Sequence, residues 1–380
     1  MARRHHLVEP YDLLGRARLD EVDGLPVWAN LTRGPGSWSR QTAPAVDGQT
    51  FIELGTSEDT PRWDYDPASG RLMLLIEPTR TNVVGPSLLT DVATADELPD
   101  GWAATAGAAG VDFETTVAGS PTGGPKFRLL DTATANRGAL WITALAATTQ
   151  YAMSVWVRRT AAGAANLIGI ETNPGVYANL PLSALAHDWA RAVDLATTVG
   201  AGGDILLLAA LADPAGIVEL AAPQVEAGDC ATSPILGDVA ATRAAELLTI
   251  DPSVVGRTSG FVSFLWRPDY ASTAALTVNP CLFAFAAGYE LIYDVADDKV
   301  KIVVGGVNQA ASAALTFARQ SLHRISLRYG SGGTQLTVDG LTYEDTTTWG
   351  DPGALAPSLG SRAASVNCRP AAYGDLVLAA

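Results

Sequence analysis

Wherever hydrophobic and polar positions follow a legible rule along this chain, the period is two. In Tyr151-Ala-Met-Ser-Val-Trp-Val-Arg158, positions 151, 153, 155 and 157 put apolar side chains on one face, and Ala152, Ser154, Trp156 and Arg158 fall on the other. That pattern predicts a strand with one buried face and one mixed face. His323-Arg-Ile-Ser-Leu-Arg-Tyr329 repeats it: Ile325, Leu327 and Tyr329 share a face, while Arg324, Ser326 and Arg328 take the wet one. The loop Gly330-Ser-Gly-Gly333 leads into Gln335-Leu-Thr-Val-Asp339, and Asp339-Gly340 is a favoured two-residue turn, so a hairpin followed by another turn is predicted.

The continuous apolar runs Phe261–Trp266, Leu282–Phe285 and Ile205–Leu208 suit strands covered on both faces. Two short connecting helices are predicted, over Val239–Leu248 and Ser183–Ala190. Turn residues recur every 8–12 residues or so from about residue 100 onward, the spacing of an all-β sandwich. The uncharged stretch Tyr270–Tyr289 is long enough to span a membrane. Its Ser272, Thr273, Thr277, Asn279, Pro280 and Gly288 divide it into strand, turn and strand, so no membrane insertion is expected.

Composition narrows the class. A chain that is 48% hydrophobic and 17% charged is too apolar for disorder, and 37 Gly with 22 Pro punctuate it too often for a long helical bundle. At 380 residues, two or three domains are expected. The net charge of −15 is uneven: residues 1–81 hold 9 basic and 12 acidic side chains, 82–240 hold 6 and 16, and 241–380 hold 10 and 12. With three lysines, Lys126, Lys299 and Lys301, and no basic run beyond Arg3-Arg4, nucleic acid is excluded as a partner. Cys230, Cys281 and Cys368 are odd in number and widely spaced, which encodes neither a disulfide framework nor a zinc site. The N-terminus lacks the apolar run of a signal peptide, so synthesis in the cytoplasm is expected.

Chemistry-bearing motifs are sparse. There is no G-x-S-x-G elbow, HExxH, Walker A loop or GxGxxG, and of the four histidines His187 and His323 stand beside strand starts, where structural roles are expected. A glycosidase needs two carboxylates about 5–10 Å apart. The close pairs are Asp64/Asp66, Asp297/Asp298 and Glu344/Asp345. Asp66-Pro-Ala-Ser-Gly70 is a turn and Asp297-Asp298 a hairpin tip, so the pairs are read as turn chemistry and no enzyme is expected. Aromatic faces that stack on sugars are the better lead. Trp156 alternates onto the mixed face, Trp141 shares a face with Ala139 and Thr143, and Trp102 and Tyr177 fall in Gly/Asn/Pro-rich loops. Trp102, Trp141, Tyr177 and Trp156 are therefore the candidate carbohydrate-binding residues, although a sandwich core suits Trp156, Trp189 and Trp266 better. No cofactor is expected. A structural Ca²⁺ held by Glu114, Asp131 or Glu226 is compatible with the acidity, but no spacing selects these residues and no metal site is assigned.

Three segments carry a resemblance. Arg62-Trp-Asp-Tyr-Asp-Pro67 followed by Leu74-Leu-Ile-Glu-Pro-Thr-Arg-Thr-Asn82 resembles the entry motif of a broad set of bacteriophage virion proteins, where it precedes a jelly roll similar to carbohydrate-binding modules. Tyr151–Arg158, His187-Asp-Trp-Ala-Arg191 and the closing Gln224-x-Glu-x-Gly-x-x-x-Thr-Ser233 match the strands and end of that module, and Val239–Glu246 matches its connector. Phe261–Trp266, Leu322–Gly340 and Tyr373–Leu378 are similar to concanavalin A/laminin G-like lectin domains.

The resemblance, which spans about residues 40–380 and includes head spikes of phage-like gene transfer agents, implies an all-β protein: two antiparallel β-sandwiches after an irregular N-terminal attachment segment. The segments would be 1–81 for attachment, 82–240 for the jelly roll and 241–380 for the concanavalin A-like sandwich. It implies a non-enzymatic virion spike or fibre, exposed on the particle, that binds host cell-surface or capsular polysaccharide. Its partners would be other virion proteins of the spike base, capsid or tail, and homo-oligomeric assembly would let weak sites act together. Arg3, Arg4, Tyr11, Leu13 and Leu14 would anchor the chain to the particle. The alternatives are a polysaccharide-degrading tail-spike enzyme and a purely structural capsid or tail decoration protein.

Overall fold

The computed structural model describes residues 73–85, 148–158, 191–193, 219–235, 240–246, 248–250, 252–362 and 367–379 with Trp102, Leu145 and Ala146, and the backbone of further strands. It is nearly all strand, in two compact units. The first gathers Met1–Gln41, Ser57–Thr79 and Ala244–Ala380, and the second Thr42–Thr56 and Arg80–Arg243. The longer segment of the second unit, Arg80–Arg243, is thus inserted between Thr79 and Ala244 of the first, where sequence placed a jelly roll over 82–240. The N-terminal 1–81 is not set apart: Gly36–Ser39, Arg62–Asp66 and Arg71–Ile76 are strands in the sheets of the first unit.

The first unit is a sandwich of two seven-stranded antiparallel sheets. One sheet orders Val307–Ala311, Lys299–Val304, Tyr289–Asp294, Cys281–Ala286, Ser358–Leu359, Leu247–Ile250 and Gly36–Ser39. The other orders Leu341–Asp345, Gly333–Val338, His323–Gly330, Gly260–Pro268, Ala371–Ala379, Arg71–Ile76 and Arg62–Asp66. Burial alternates strictly along His323–Gly330 and Gly333–Val338, as the period of two requires. The inward rows meet in an aromatic core: ring centroids lie 6.4 Å apart for Phe264 and Phe283, 5.8 Å for Trp266 and Tyr293 and 5.1 Å for Phe285 and Tyr329. Each such ring, fully buried, contributes about 2–3 kcal/mol of transfer free energy. Asp339 (φ 51°) and Gly340 (φ 84°) form the expected two-residue turn. At Gly333 a Cβ would come within 2.2 Å of the Asp345 carbonyl oxygen, so no other residue fits there.

The second unit pairs a five-stranded sheet, ordered Val176–Pro181, Leu167–Asn173, Gly203–Ala210, Arg137–Thr143 and Trp102–Ala104, with a sheet built on Ala190–Thr197, Gln150–Arg159, Ile217–Ala227, Arg80–Asn82 and Ala241–Arg243. Gln150–Arg159 lies between two neighbours, and both of its faces are covered: residues 151–157 are all buried, and the half-wet face expected from the alternation is absent.

Two other expectations are corrected. Val239–Leu248 is not helical. Ala241–Arg243 pairs with Arg80–Asn82, and Leu247–Ile250 pairs with Gly36–Ser39. Helix propensity is a weak local preference, and here ladder hydrogen bonds override it, joined by a 2.7 Å contact between the Thr81 and Thr242 hydroxyls. Within Tyr270–Tyr289 the first eleven residues are irregular and Cys281–Ala286 is the strand, because Asn279 and Pro280 turn their polar groups to Val295 and Tyr293 main-chain N–H groups. The helix expected over Ser183–Ala190 falls mostly outside the described residues, with Ala190 opening the strand Ala190–Thr197. No helix among the described residues is long and apolar enough to cross a membrane.

Candidate functional site

In the first unit, the sheet that carries His323–Gly330 presents an outer face that is buried at Ser263 and opens toward the edge strand Leu341–Asp345. Strand alternation sends Arg324, Ser326 and Arg328 outward, and the cross-strand register lines up Ser263, Ser326, Thr337 and Thr342 on four neighbouring strands. Ser263 Oγ lies 2.7 Å from Ser326 Oγ, and Thr337 Oγ1 lies 3.1 Å from Thr342 Oγ1. The result is a row of hydroxyls repeating every ~4.8 Å across the sheet. Beside it runs a second row, Phe261, Arg328, Gln335 and Glu344. The Arg328 guanidinium sits 6.0 Å from the Phe261 ring centroid, and Gln335 Nε2 donates to Glu344 Oε1 at 2.8 Å. On the other flank Arg324 Nη2 donates to Asp375 Oδ2 at 2.9 Å. In these rows two guanidiniums, Arg324 and Arg328, stand with two carboxylates, Asp375 and Glu344, in a chain of net −15. Toward Arg71–Ile76 the polar rows give way to a buried apolar cluster of Met73, Leu75, Leu265 and Ala372. A rigid sheet with hydroxyl, amide and guanidinium groups around one aromatic ring can hydrogen-bond a polyhydroxylated ligand while packing on its C–H surface.

On the core side of the same sheet, at the start of the strand His323–Gly330, Ser321, His323 and Asp339 have the reach of a charge-relay triad: His323 Nε2 is 2.9 Å from Ser321 Oγ, and Nδ1 is 2.8 Å from Asp339 Oδ2. Ser321 Oγ also reaches the Ala318 carbonyl at 2.7 Å, an acceptor that competes with the imidazole for its one hydrogen. Asp339 also accepts the Arg324 main-chain N–H at 2.8 Å, and the His323 ring packs on Trp266 and Phe317 at 5.8 and 5.4 Å. These contacts tie the start of a strand to the turn of the next hairpin.

In the second unit Asn82, Gln224, Glu226, Thr232, Ser233 and Arg243 meet as a buried polar knot. Asn82 donates to the carbonyls of Pro223 (3.2 Å) and Ile235 (2.9 Å) and accepts from the N–H groups of Val84 and Val225, both at 3.0 Å. Gln224 donates to the Thr232 and Ser233 carbonyls and accepts from Ile235 N, while Glu226 takes the N–H and hydroxyl of Thr232. Arg243 donates to Ser233, and Arg191 to Ser154 and the Thr232 carbonyl. The Arg80 guanidinium lies over Gly228 (φ 148°), where a Cβ would stand 2.7 Å from it. Most of these bonds hold residues 228–235 in place and the rest tie Asn82 to Val84, Pro223 and Val225 and Arg191 to Ser154, so the motif acts as a fold determinant.

The candidate aromatics are dispersed. Trp156 is 2% exposed and lies in the other sheet from the rest; its ring offers no face to a ligand, which removes it as a stacking platform. Trp102 (7% exposed) and Tyr177 belong to strands, not loops, at opposite edges of the five-stranded sheet. Trp102 and Trp141 are brought together as cross-strand partners. The side chains of Trp141 and Tyr177, and all of Arg3, Arg4, Tyr11, Leu13 and Leu14, lie outside the described residues. Of the carboxylates considered for Ca²⁺, Glu226 is wholly buried and engaged by Thr232; Glu114 ends a strand described by its backbone, and Asp131 lies outside the described residues. No group of three or more His, Cys, Asp or Glu that could hold a metal occurs among the described residues. The outer polar face was not singled out from sequence. Its signal was present in the wet positions 324, 326 and 328, but the alignment with Ser263 and Thr342 depends on strand pairing.

No family model matches the chain, and no curated protein does. Among solved structures it is similar to the N-terminal CBM22-1–CBM22-2 tandem domain of Paenibacillus barcinonensis Xyn10C, at 13% identity over 79% of this chain and 97% of that one, with a TM-score of 0.30.

Proposed function

We propose that this chain is a carbohydrate-binding protein without enzymatic activity, a spike or fibre on the surface of a phage or gene transfer agent that attaches the particle to host cell-surface polysaccharide. The open polar face of the first unit makes the contact. The observation that carries this reading is the row Ser326, Thr337 and Thr342, continued inward by the buried Ser263 and flanked by Arg328, Gln335 and Glu344 on one rigid sheet. Its charge balance favours a neutral glycan over an anionic capsule, and the phage-type motif supports the virion setting. Each hydrogen bond lost from such a face costs about 0.5–1.5 kcal/mol, so single contacts are weak and several copies on one particle must act together.

The test is a glycan array with the full chain, followed by titration of any hit with Arg328→Ala, Gln335→Ala and, in the second unit, Trp102→Ala and Trp141→Ala. Weakening by about 3–10-fold in the first two variants, with melting unchanged, is the expected result. Loss confined to the tryptophan variants would move the site to the five-stranded sheet. Glycan cleavage would establish a tail-spike enzyme, and absence of binding a decoration protein.

A further inference from the structure

The outer edge of the same sheet, Leu341–Asp345, ends in open backbone. The two-residue turn Asp339-Gly340 makes Val338 and Leu341 a hydrogen-bonded pair, and antiparallel ladders alternate bonded and non-bonded pairs. Leu341, Tyr343 and Asp345 therefore spend their main-chain groups on Gly333–Val338, while the N–H and C=O of Thr342 and Glu344 point outward. Among the described residues, the main chain of neither takes part in any other hydrogen bond.

Edges of this kind are usually guarded by charge. Here the two acids are tied back: Glu344 Oε1 accepts Gln335 Nε2, and Asp345 Oδ1 accepts the Thr347 N–H at 2.7 Å. At the same edge stand Leu341, 64% exposed, and Val307, 59% exposed, the latter opening the edge strand of the facing sheet; Thr347 Oγ1 bridges the two edges through Gln309 Oε1 at 2.9 Å. These are the two most exposed large hydrophobic side chains among the described residues.

We propose that a second copy of this chain adds to this edge, strand to strand, about a two-fold axis at Tyr343. Pairing must bring outward-facing residues opposite each other, which leaves three registers. Glu344 against Glu344 opposes two carboxylates, and Thr342 against Thr342 shortens the overlap to three residues. Centring on Tyr343 sets Thr342 against Glu344 twice, giving four main-chain hydrogen bonds, and covers Leu341 with the partner's end of the strand. The two polar outer faces then lie on one continuous sheet, so a dimer would present two sites to one polysaccharide.

The test is the mass of the full chain by sedimentation velocity, without glycan, over a concentration series. The wild type should show reversible doubling of its unit mass. Thr342→Pro removes an N–H that faces outward, a position where sheets tolerate proline, and should halve that mass with melting little changed. Tyr343→Cys, self-opposed at the non-bonded position where Cβ atoms come closest, should cross-link to a dimer with oxidised glutathione, whereas Gln335→Cys should not. A wild type that stays single at its highest soluble concentration overturns the proposal. So does an unchanged mass for Thr342→Pro, or, should that variant fail to fold, no cross-link at position 343.

Discussion

Replacing Asn82 with alanine deletes a wholly buried side chain whose donors and acceptor are used four times, on Pro223, Ile235, Val84 and Val225. Each bond contributes about 0.5–1.5 kcal/mol net, and the main-chain groups left behind have no water to turn to, so the sum is about 4 kcal/mol. For a unit of this size that corresponds to a fall of about 10 °C in its melting temperature. Calorimetry on the full chain should show the loss in one transition, that of the second unit. Hydrogen exchange should localise it to the amides of Val84 and Val225. Thr81→Ala is the control, since that neighbour makes one exposed hydroxyl contact with Thr242 and its loss should cost less than ~0.5 kcal/mol. A destabilisation below ~1 kcal/mol, or one no larger than the control's, would refute the reading of the knot as a fold determinant.

Gly228→Ala should destabilise the same unit by about 1–2 kcal/mol, because the new methyl meets the Arg80 guanidinium at a φ of 148° that side chains rarely adopt; urea unfolding measures it. The Ser321, His323 and Asp339 trio predicts no hydrolysis of a p-nitrophenyl ester above buffer, with Ser321→Ala folding normally and His323→Ala losing about 2 kcal/mol of first-unit stability; measurable turnover abolished by Ser321→Ala would reverse the assignment. In the hairpin Tyr289–Val304, hydrogen bonding to Lys301 Nζ holds the Asp297 carboxyl below its ordinary 3.8, and Asp294 and Asp297 push Lys301 above its ordinary 10.5. The carboxylate's contribution is present above 3.8 and lost as pH falls through its lower folded value; the ammonium's is present below 10.5 and lost as pH rises through its higher one. Exchange protection of that hairpin should thus be flat between about pH 5 and 9 and fall outside it, and Lys301→Met should remove both limbs.

What a residue does to its own strand could be read locally. His323–Gly330 alternates as its pattern requires, Asp339-Gly340 turns where a two-residue loop was expected, and Asp297-Asp298 sits at a hairpin tip, with Asp298 at φ 55°. What lies on the second face of a strand could not. Trp156 obeys the same alternation whether its side is open or covered, and only its burial in the folded unit, at 2% exposure, places it in the covered case. Val239–Leu248 fails for the complementary reason: its alanines favour a helix over a few residues, but Arg80–Asn82, distant in the chain, supplies a ladder that a helix would leave unpaired. The motif from Arg80 to Arg243 was legible as a signature, yet its work as a buried knot was not, since nothing in its spacing shows that Asn82 and Gln224 converge on one loop.

Sequence alone therefore determined the β class, the turns and the wet and dry sides of exposed strands, because those follow from backbone period and local φ/ψ preference. Tertiary structure decided the insertion of Arg80–Arg243 between Thr79 and Ala244, the burial of Trp156, and the assembly of Ser263, Ser326, Thr337 and Thr342 into one face. Register between strands 63 residues apart, as for Ser263 and Ser326, is set by packing of the whole sheet against its partner, which no local window of the chain contains.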